Sequence, residues 1–404
     1  MSNYKILYTC FTPFGFPSED AGGGSSHVYG VINALESRGF EVITFPNKKE
    51  VVTLWEIKKI GSLHRNIFRN LLRDLYIIFI LNTFYFLKLL HFRNESLIIY
   101  NRFTNYSWSI ALFAFLFNKD MINEINAPIE EAVISGNGSI LNPLNKYLLL
   151  IISRLSKLNV CVSESLRKIL IDYGTNPKNV VFHPNCVNTD FLKSVNNDRI
   201  SEIKIKHNIS DDNIVFGMVA QFQQWHGVEQ LLKVLENYHD KKIVKLLLVG
   251  NPAVKYHETF HKVINETSVD VIHVGFVNHK EVKHYIDVMD VCIELGRLNN
   301  YGSPLKLIEY GARGKLVIIQ ETEPVKEIIT HGENGLLVNK KNVKSVALST
   351  IDEFDHESAP YKLMGKRLKA LVHSKYTWDK YIDFIDERTD CLLSHGSDYF
   401  HVST

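Results

Sequence analysis

Several things are scarce in this chain of 404 residues, and each scarcity excludes something. Cysteine comes first. Cys10, Cys161, Cys186, Cys292 and Cys391 are scattered, with no C-x-x-C among them. That spacing argues against a disulfide framework and a thiolate metal site, and predicts buried thiols in a reducing, cytoplasmic setting. Charge of one sign is also missing. The formal net charge is +2, which excludes a nucleic-acid-binding surface spread over the whole chain. No stretch supplies the roughly 20 clean apolar residues of a membrane helix. Met-Ser-Asn-Tyr-Lys runs directly into a strand-like segment, so no secretory leader is expected. Asn-x-Ser/Thr triplets such as Asn105-Tyr106-Ser107 then carry no meaning. Neither G-x-G-x-x-G nor the P-loop pattern occurs, which disfavours a Rossmann dehydrogenase.

What is present describes an α/β protein. Hydrophobic content of 45% and charged content of 22% suit a globular chain, and the length calls for more than one domain. Strand-like runs at 5–10, 41–45, 96–100, 121–125, 159–162 and 180–183 alternate with helical patterns, notably 108–116 and 142–158. A second series follows, with strands at 214–220, 244–250, 271–276, 291–295, 316–319 and 335–338. Strands alternating with helices predict mostly parallel sheets, doubly wound and used twice. The boundary is expected in the polar stretch 188–212, giving domains 1–190 and 191–375. A C-terminal helix in 376–404 is expected to cross back to the first domain and end in a frayed tail.

Residues 53–93 have another character. Lys58, Lys59, Arg65, Arg69, Arg73, Lys88 and Arg93 face only Glu56 and Asp74. Arg65, Arg69 and Arg73 recur every four residues, on one helix face. The apolar run 75–90 reads as a helix buried in the domain, preceded by a basic amphipathic helix able to lie on anionic lipid. A plain solvated basic face and a membrane span are the competing readings.

Ligands of open parallel sheets sit beyond the carboxyl ends of the strands, which directs attention to a few loops. Gly22-Gly23-Gly24-Ser25-Ser26-His27 follows the first strand. Adjacent glycines allow close backbone approach to a ligand, although a tight turn would use them equally. Asn101-Arg102-Phe103-Thr104 and Glu124-Ile125-Asn126-Ala127-Pro128 follow later strands. The fullest signal lies in 292–314. There Ser303 fits an N-cap and Pro304 the first position of a helix that stops at Gly311 or Gly314. Its start would offer free N–H groups and a positive dipole end to phosphate. Lys306 and Glu309 are spaced to share a face.

These residues resemble the GT4-type retaining glycosyltransferases of the GT-B fold, over nearly the whole chain and most closely from 180 to 340. Residues 181–191, Val-Phe-His-Pro-Asn-Cys-Val-Asn-Thr-Asp-Phe, are similar to the family's I-P-N-G-V-D-x-x-x-F segment. Residues 221–228, Gln-Phe-Gln-Gln-Trp-His-Gly-Val, are similar to its G-R-x-x-x-x-K-G loop. Residues 302–309 resemble the second half of its E-x7-E motif. The resemblance implies two Rossmann-like domains facing across a cleft that binds a nucleotide-diphosphate sugar, the uridine nucleotide favoured over guanosine. It implies Glu309 on the ribose, and Ser303, Pro304, Leu305 and Lys306 with Gly23 and Gly24 at the diphosphate. It places the base at Phe276, Val277 and Asn278, and Glu124 toward the sugar or acceptor. Arg297, Asn300, Tyr301, Gly302 and His27 complete the candidates near the sugar.

The chain departs from the pattern at three charged positions. Tyr301 stands where the first Glu of E-x7-E falls, and Gln221 and His226 replace the Arg and Lys of the diphosphate loop. A departing phosphate needs compensating positive charge or N–H dipoles. Lys306 is the expected substitute, with His226 and Arg297, and Lys306, Glu124 and His226 are the expected catalytic residues. No Asp-x-Asp is present, so neither metal nor cofactor is expected. The expected activity is hexosyl transfer to a hydroxyl of a glycan or lipid-linked acceptor, as in surface-polysaccharide assembly, at the inner face of the cell membrane. A GT-B module kept for binding or assembly after losing its chemistry is the alternative.

Overall fold

Aliphatic and β-branched runs form strands here because both faces of each sheet are covered, so no polar alternation is required. A computed structural model describes residues 5–10, 23–46, 71–72, 74–104, 106–129, 141–238, 244–296, 301–339, 341–353 and 359–389. The chain forms two compact units, Met1–Pro184 with Asp379–Thr404, and Asn185–Trp378. The break at Pro184 falls somewhat ahead of the residue-190 boundary read from the sequence.

Unit 1 contains β1 (Lys5–Cys10), α1 (Gly23–Ser37) and β2 (Glu41–Phe45). A π-helical turn (Tyr76–Leu81) then runs into α2 (Asn82–Leu89). There follow β3 (Leu97–Arg102), α3 (Trp108–Leu116), β4 (Met121–Ile125), α4 (Asn142–Leu155), β5 (Leu158–Cys161), α5 (Glu164–Asp172) and β6 (Val180–Phe182). The strands pair in parallel in the order β2-β1-β3-β4-β5-β6.

A polar row crosses this sheet. Thr9, Asn101, Asn123 and Asn159 are register partners on successive strands. Thr9 Oγ1 donates to Asn101 Oδ1 (2.9 Å), Asn101 Nδ2 to Asn123 Oδ1 (2.8 Å), and Asn123 Nδ2 to Asn159 Oδ1 (3.1 Å). Slipping any strand by one residue would turn its amide to the other face and leave its neighbours unpaired.

Unit 2 begins with α6 (Asn197–Lys206), β7 (Ile214–Val219), α7 (Val228–Leu235), β8 (Val244–Val249), α8 (His257–Glu266) and β9 (Asp270–Gly275). It continues with α9 (His279–Val288), β10 (Val291–Glu294), α10 (Leu305–Ala312), β11 (Leu316–Gln320), the short α11 (Glu323–Lys326) and β12 (Leu336–Val338). Helices α12 (Val343–Glu353) and α13 (Ala359–Lys375) follow, and α14 (Trp378–Thr389) returns the chain to unit 1. The sheet order is β12-β11-β10-β7-β8-β9, again all parallel. Its core is apolar: Phe216, Met218, Leu246, Leu248, Ile293 and Ile318 are buried together with inward residues of α7. Strand order reverses between β7 and β10, so the loops after those two strands stand where open sheets hold ligands.

One expectation changes. The run 75–90 is not a buried helix: Phe79, Ile80, Phe84 and Leu87 are exposed, while Ile78, Tyr85 and Leu89 face inward. Hydropathy measures composition, not direction, and this segment is apolar on both sides. The polar stretch 194–212, read from the sequence only as the place of the boundary, holds α6, which buries Ile203 and is capped by the Asn196 side chain accepting from Arg199 N–H. The four described cysteines are buried, as the sequence predicts; Cys391 and the arginine stripe at 65, 69 and 73 lie outside the described residues.

Candidate active site

The carboxyl end of β10 carries an acid that the sequence reading passed over inside an apolar run. Glu294 is buried, and its Oε2 lies 2.9 Å from Lys306 Nζ on the first turn of α10. A carboxylate costs several kcal/mol to bury unless a partner answers it, so Glu294 and Lys306 fix each other. Glu309, expected beside Lys306, is paired elsewhere: its Oε1 meets His279 Nε2 at 2.9 Å. The three-residue spacing therefore yields two separate pairs rather than one. The His279 ring in turn lies 5.3 Å from that of Phe191.

The helix start is also rearranged. α10 begins at Leu305 with Pro304 in the cap position and no side-chain cap bond. Ser303 does not cap it, because its Oγ accepts the Asn185 N–H (2.8 Å) while Asn185 Nδ2 donates to the Ser303 carbonyl (3.2 Å). Asn185, the first residue of unit 2, is thereby stitched to the turn ahead of α10. The helix closes with Gly314 at φ +71°, the left-handed stop expected after a helix end.

His226 belongs to a short 3₁₀ turn and stabilises it by accepting the Gln223 N–H on Nδ1 (2.9 Å). An imidazole that accepts at Nδ1 carries its proton at Nε2 and is neutral. Burial, together with the nearby Lys306 charge, pushes His226 down to about 4. The expectation that His226 supplies positive charge is thus corrected: it offers an N–H and no charge. The β7 and β10 loops touch here. A Cβ on Gly296 would stand 2.5 Å from the Trp225 carbonyl oxygen, and Gly227, at φ +76°, backs onto Leu295. Both positions need glycine for that approach.

The remaining unit 2 candidates are spread out. Phe276 is exposed, Val277 half-buried, and the Asn278 side chain caps α9 by accepting from Lys280 N–H. Tyr301 and Gly302 form a bend ahead of α10, and Arg297 and Asn300 lie outside the described residues.

Unit 1 gathers a second buried cluster. Gly23 and Gly24 are not a loop; they open α1, whose next turn brings in His27. His27 Nε2 lies 2.8 Å from Glu124 Oε1, and Tyr100 Oη donates to Glu124 Oε2 at 2.5 Å. Asn126 Nδ2 donates to Glu124 at 2.5 Å, and Arg102 stands 3.8 Å away on the neighbouring strand. Tyr381 of α14, also in unit 1, shares a 2.7 Å hydrogen bond with the Tyr100 hydroxyl. Burial alone would raise the Glu124 pKa, but the His27 and Arg102 charges and the Asn126 bond outweigh it and hold it at about 2. A carboxylate held so low is a poor proton acceptor. Glu124 therefore suits orienting His27 and Tyr100 better than acting as a general base. Tyr100 and Tyr381 escaped the sequence reading because partners 281 positions apart leave no local pattern. Among the described residues, no group of three or more His, Cys, Asp or Glu side chains is arranged to hold a metal ion.

Two family models match the chain. The model for Glycosyltransferase Family 4 covers residues 21–191, and that for Glycosyl transferases group 1 covers residues 199–367. The uncharacterized glycosyltransferase MJ1607 of Methanocaldococcus jannaschii is 24% identical over 173 residues, which is 42% of this chain and 43% of that protein. The match thus spans less than half of this relative's length. Among solved structures, Anabaena Alr3699/HepE in complex with UDP-glucose shares 15% identity, with a TM-score of 0.66 over 98% of this chain and 99% of that one. Sucrose-phosphate synthase (tll1590) from Thermosynechococcus elongatus shares 15% identity at a TM-score of 0.68 over 97% and 100%. At such identities these likenesses establish the fold alone.

Proposed function

Because the chain belongs to the GT4-type glycosyltransferases with the GT-B fold, we propose that it moves a hexosyl unit from a nucleotide-diphosphate sugar to an acceptor hydroxyl, retaining the anomeric configuration. The observation that carries this reading is Lys306, an ammonium 2.9 Å from buried Glu294 at the start of α10 and beyond the carboxyl end of β10. Breaking the bond from the anomeric carbon to the diphosphate oxygen leaves charge on the phosphate. Lys306 and the N–H groups at the start of α10 meet that charge. Glu294 holds the ammonium in place, and Glu309, oriented by His279, receives the ribose hydroxyls. The acceptor oxygen bonds the anomeric carbon on the face the diphosphate leaves and passes its proton to the departing phosphate oxygen.

Support for a uridine nucleotide over a guanosine one comes from the HepE structure with UDP-glucose. The acceptor is read as a glycan or lipid-linked hydroxyl in polysaccharide or glycoconjugate assembly. The test is Lys306→Ala, which should lower donor hydrolysis and transfer by about 10²–10³-fold while the chain stays folded, with a reduced melting temperature because buried Glu294 loses its partner. Near-normal turnover would remove Lys306 from the chemistry.

One observation favours a second reading, a GT-B module that assembles with others and performs no transfer. His226 is neutral where the family pattern has a lysine. Calorimetry decides between them: binding of neither uridine nor guanosine diphosphate at millimolar concentration would favour the module.

A further inference from the structure

Three helices of unit 1 carry an outer surface that stands apart among the described residues. α2, α3 and α4 pack side by side, α2 on α3 and α3 on α4, and cover a core that includes Leu7, Ile99 and Met121. Their inner faces explain why they are apolar on one side. Their outer faces are apolar too. Phe79, Phe84 and Leu87 are exposed around α2, Phe115 and Leu116 on α3, and Tyr147 on α4. Most of the exposed large hydrophobic side chains described lie on these helices and the π turn before them. A soluble monomer rarely leaves so extended an apolar surface without a use for it.

Charge identifies the occupant. Residues 75–94, 106–119 and 141–155 contain no Asp or Glu, but they hold Lys88, Arg93, Lys119, Lys146 and Arg154. The Lys88 ammonium lies 4.6 Å from the Phe84 ring centre, within the apolar stripe itself. Arg93, Lys146 and Arg154 are exposed. An apolar face carrying cations and lacking acids matches a bilayer surface with anionic headgroups, where rings reach the acyl boundary and ammonium groups stay at the phosphates. A second copy of the chain fits worse, since two such faces would bring cations together with no acid to pair them. No described helix is long and apolar enough to cross a membrane.

We propose that the outer face of α2, α3 and α4 is a docking surface for a membrane containing anionic lipid. This goes beyond the transfer reaction and stands independently of it. It rests on other residues than the basic stripe at 65, 69 and 73, on which the sequence alone placed lipid contact.

The experiment is flotation of the full chain with vesicles of phosphatidylcholine, with or without phosphatidylglycerol. The chain should float with the anionic vesicles, and the variant Phe79→Ser/Phe115→Ser/Tyr147→Ser should not, while melting like the parent. Lys88→Gln and Arg93→Gln should each weaken the anionic component about fivefold without affecting the apolar one. Flotation of the triple variant equal to the parent's, or none by either protein, would overturn the proposal. So would sedimentation equilibrium showing a lipid-free dimer that the triple variant dissolves, which would assign the face to a second copy.

Discussion

The two units share an all-parallel, six-stranded architecture and invert its usual chemistry with respect to each other. In unit 2 the sheet core is apolar, and helices such as α6 and α9 carry charges outward. In unit 1 the asparagine row and the Glu124 cluster lie inside, while α2, α3 and α4 expose aromatic and aliphatic side chains. Most of the buried polar side chains described, and most of the exposed large hydrophobic ones, belong to unit 1. Topology therefore does not dictate where polarity goes. It requires only that strands be covered and that buried polar groups find partners.

The comparison can be broken most forcefully at a buried, forked ion pair of unit 2. Arg313 donates to both Asp287 carboxylate oxygens (2.8 and 2.7 Å) and to the carbonyls of Phe191 and Lys193 (2.8 and 2.6 Å). Arg313→Ala strands a buried carboxylate and should cost about 3–5 kcal/mol. Hydrogen exchange should show the loss in unit 2 peptides and little in the strands of unit 1. Equal loss in both would mean that the units do not unfold separately.

Acid should sharpen the contrast from the other side. The Glu124 carboxyl is held at about 2 against an ordinary 4.5. Its contribution is therefore present above pH 4.5 and lost as the pH falls toward 2. That shift corresponds to roughly 3 kcal/mol. Exchange in the 121–125 strand should accelerate over that window in the parent and much less in Glu124→Gln. A flat response in the parent would show that the carboxylate is not ionised within the cluster.

The smallest effect is expected at the outer helices. Phe115 is 66% exposed, so Phe115→Glu should change folding stability by no more than about 0.5 kcal/mol. A large loss on thermal denaturation would mean that this ring is core after all.

These contrasts also show what the chain made legible. Predominantly apolar runs gave the strands to within a residue or two, because a strand covered on both faces is written mostly in apolar residues. Helix α10 was visible through Pro304 and Gly314. α6 was hidden because a helix that buries little more than Ile203 shows almost no periodicity. Glu294 was hidden by its apolar neighbours, although a carboxylate closing a buried strand is itself a signal. His226 read as a cation because residue type does not reveal which ring nitrogen accepts a backbone N–H. Tyr381 lay beyond any local reading.

That last tyrosine carries a consequence for how the molecule is made. Unit 2 is one uninterrupted length of chain, Asn185–Trp378, but unit 1 is closed by residues synthesised after it. On the ribosome, Tyr100 waits for its hydroxyl partner until Tyr381 emerges, after the whole of unit 2 has been made. A chain cut short before α14 would therefore leave the Tyr100 hydroxyl beside Glu124 without its partner from α14.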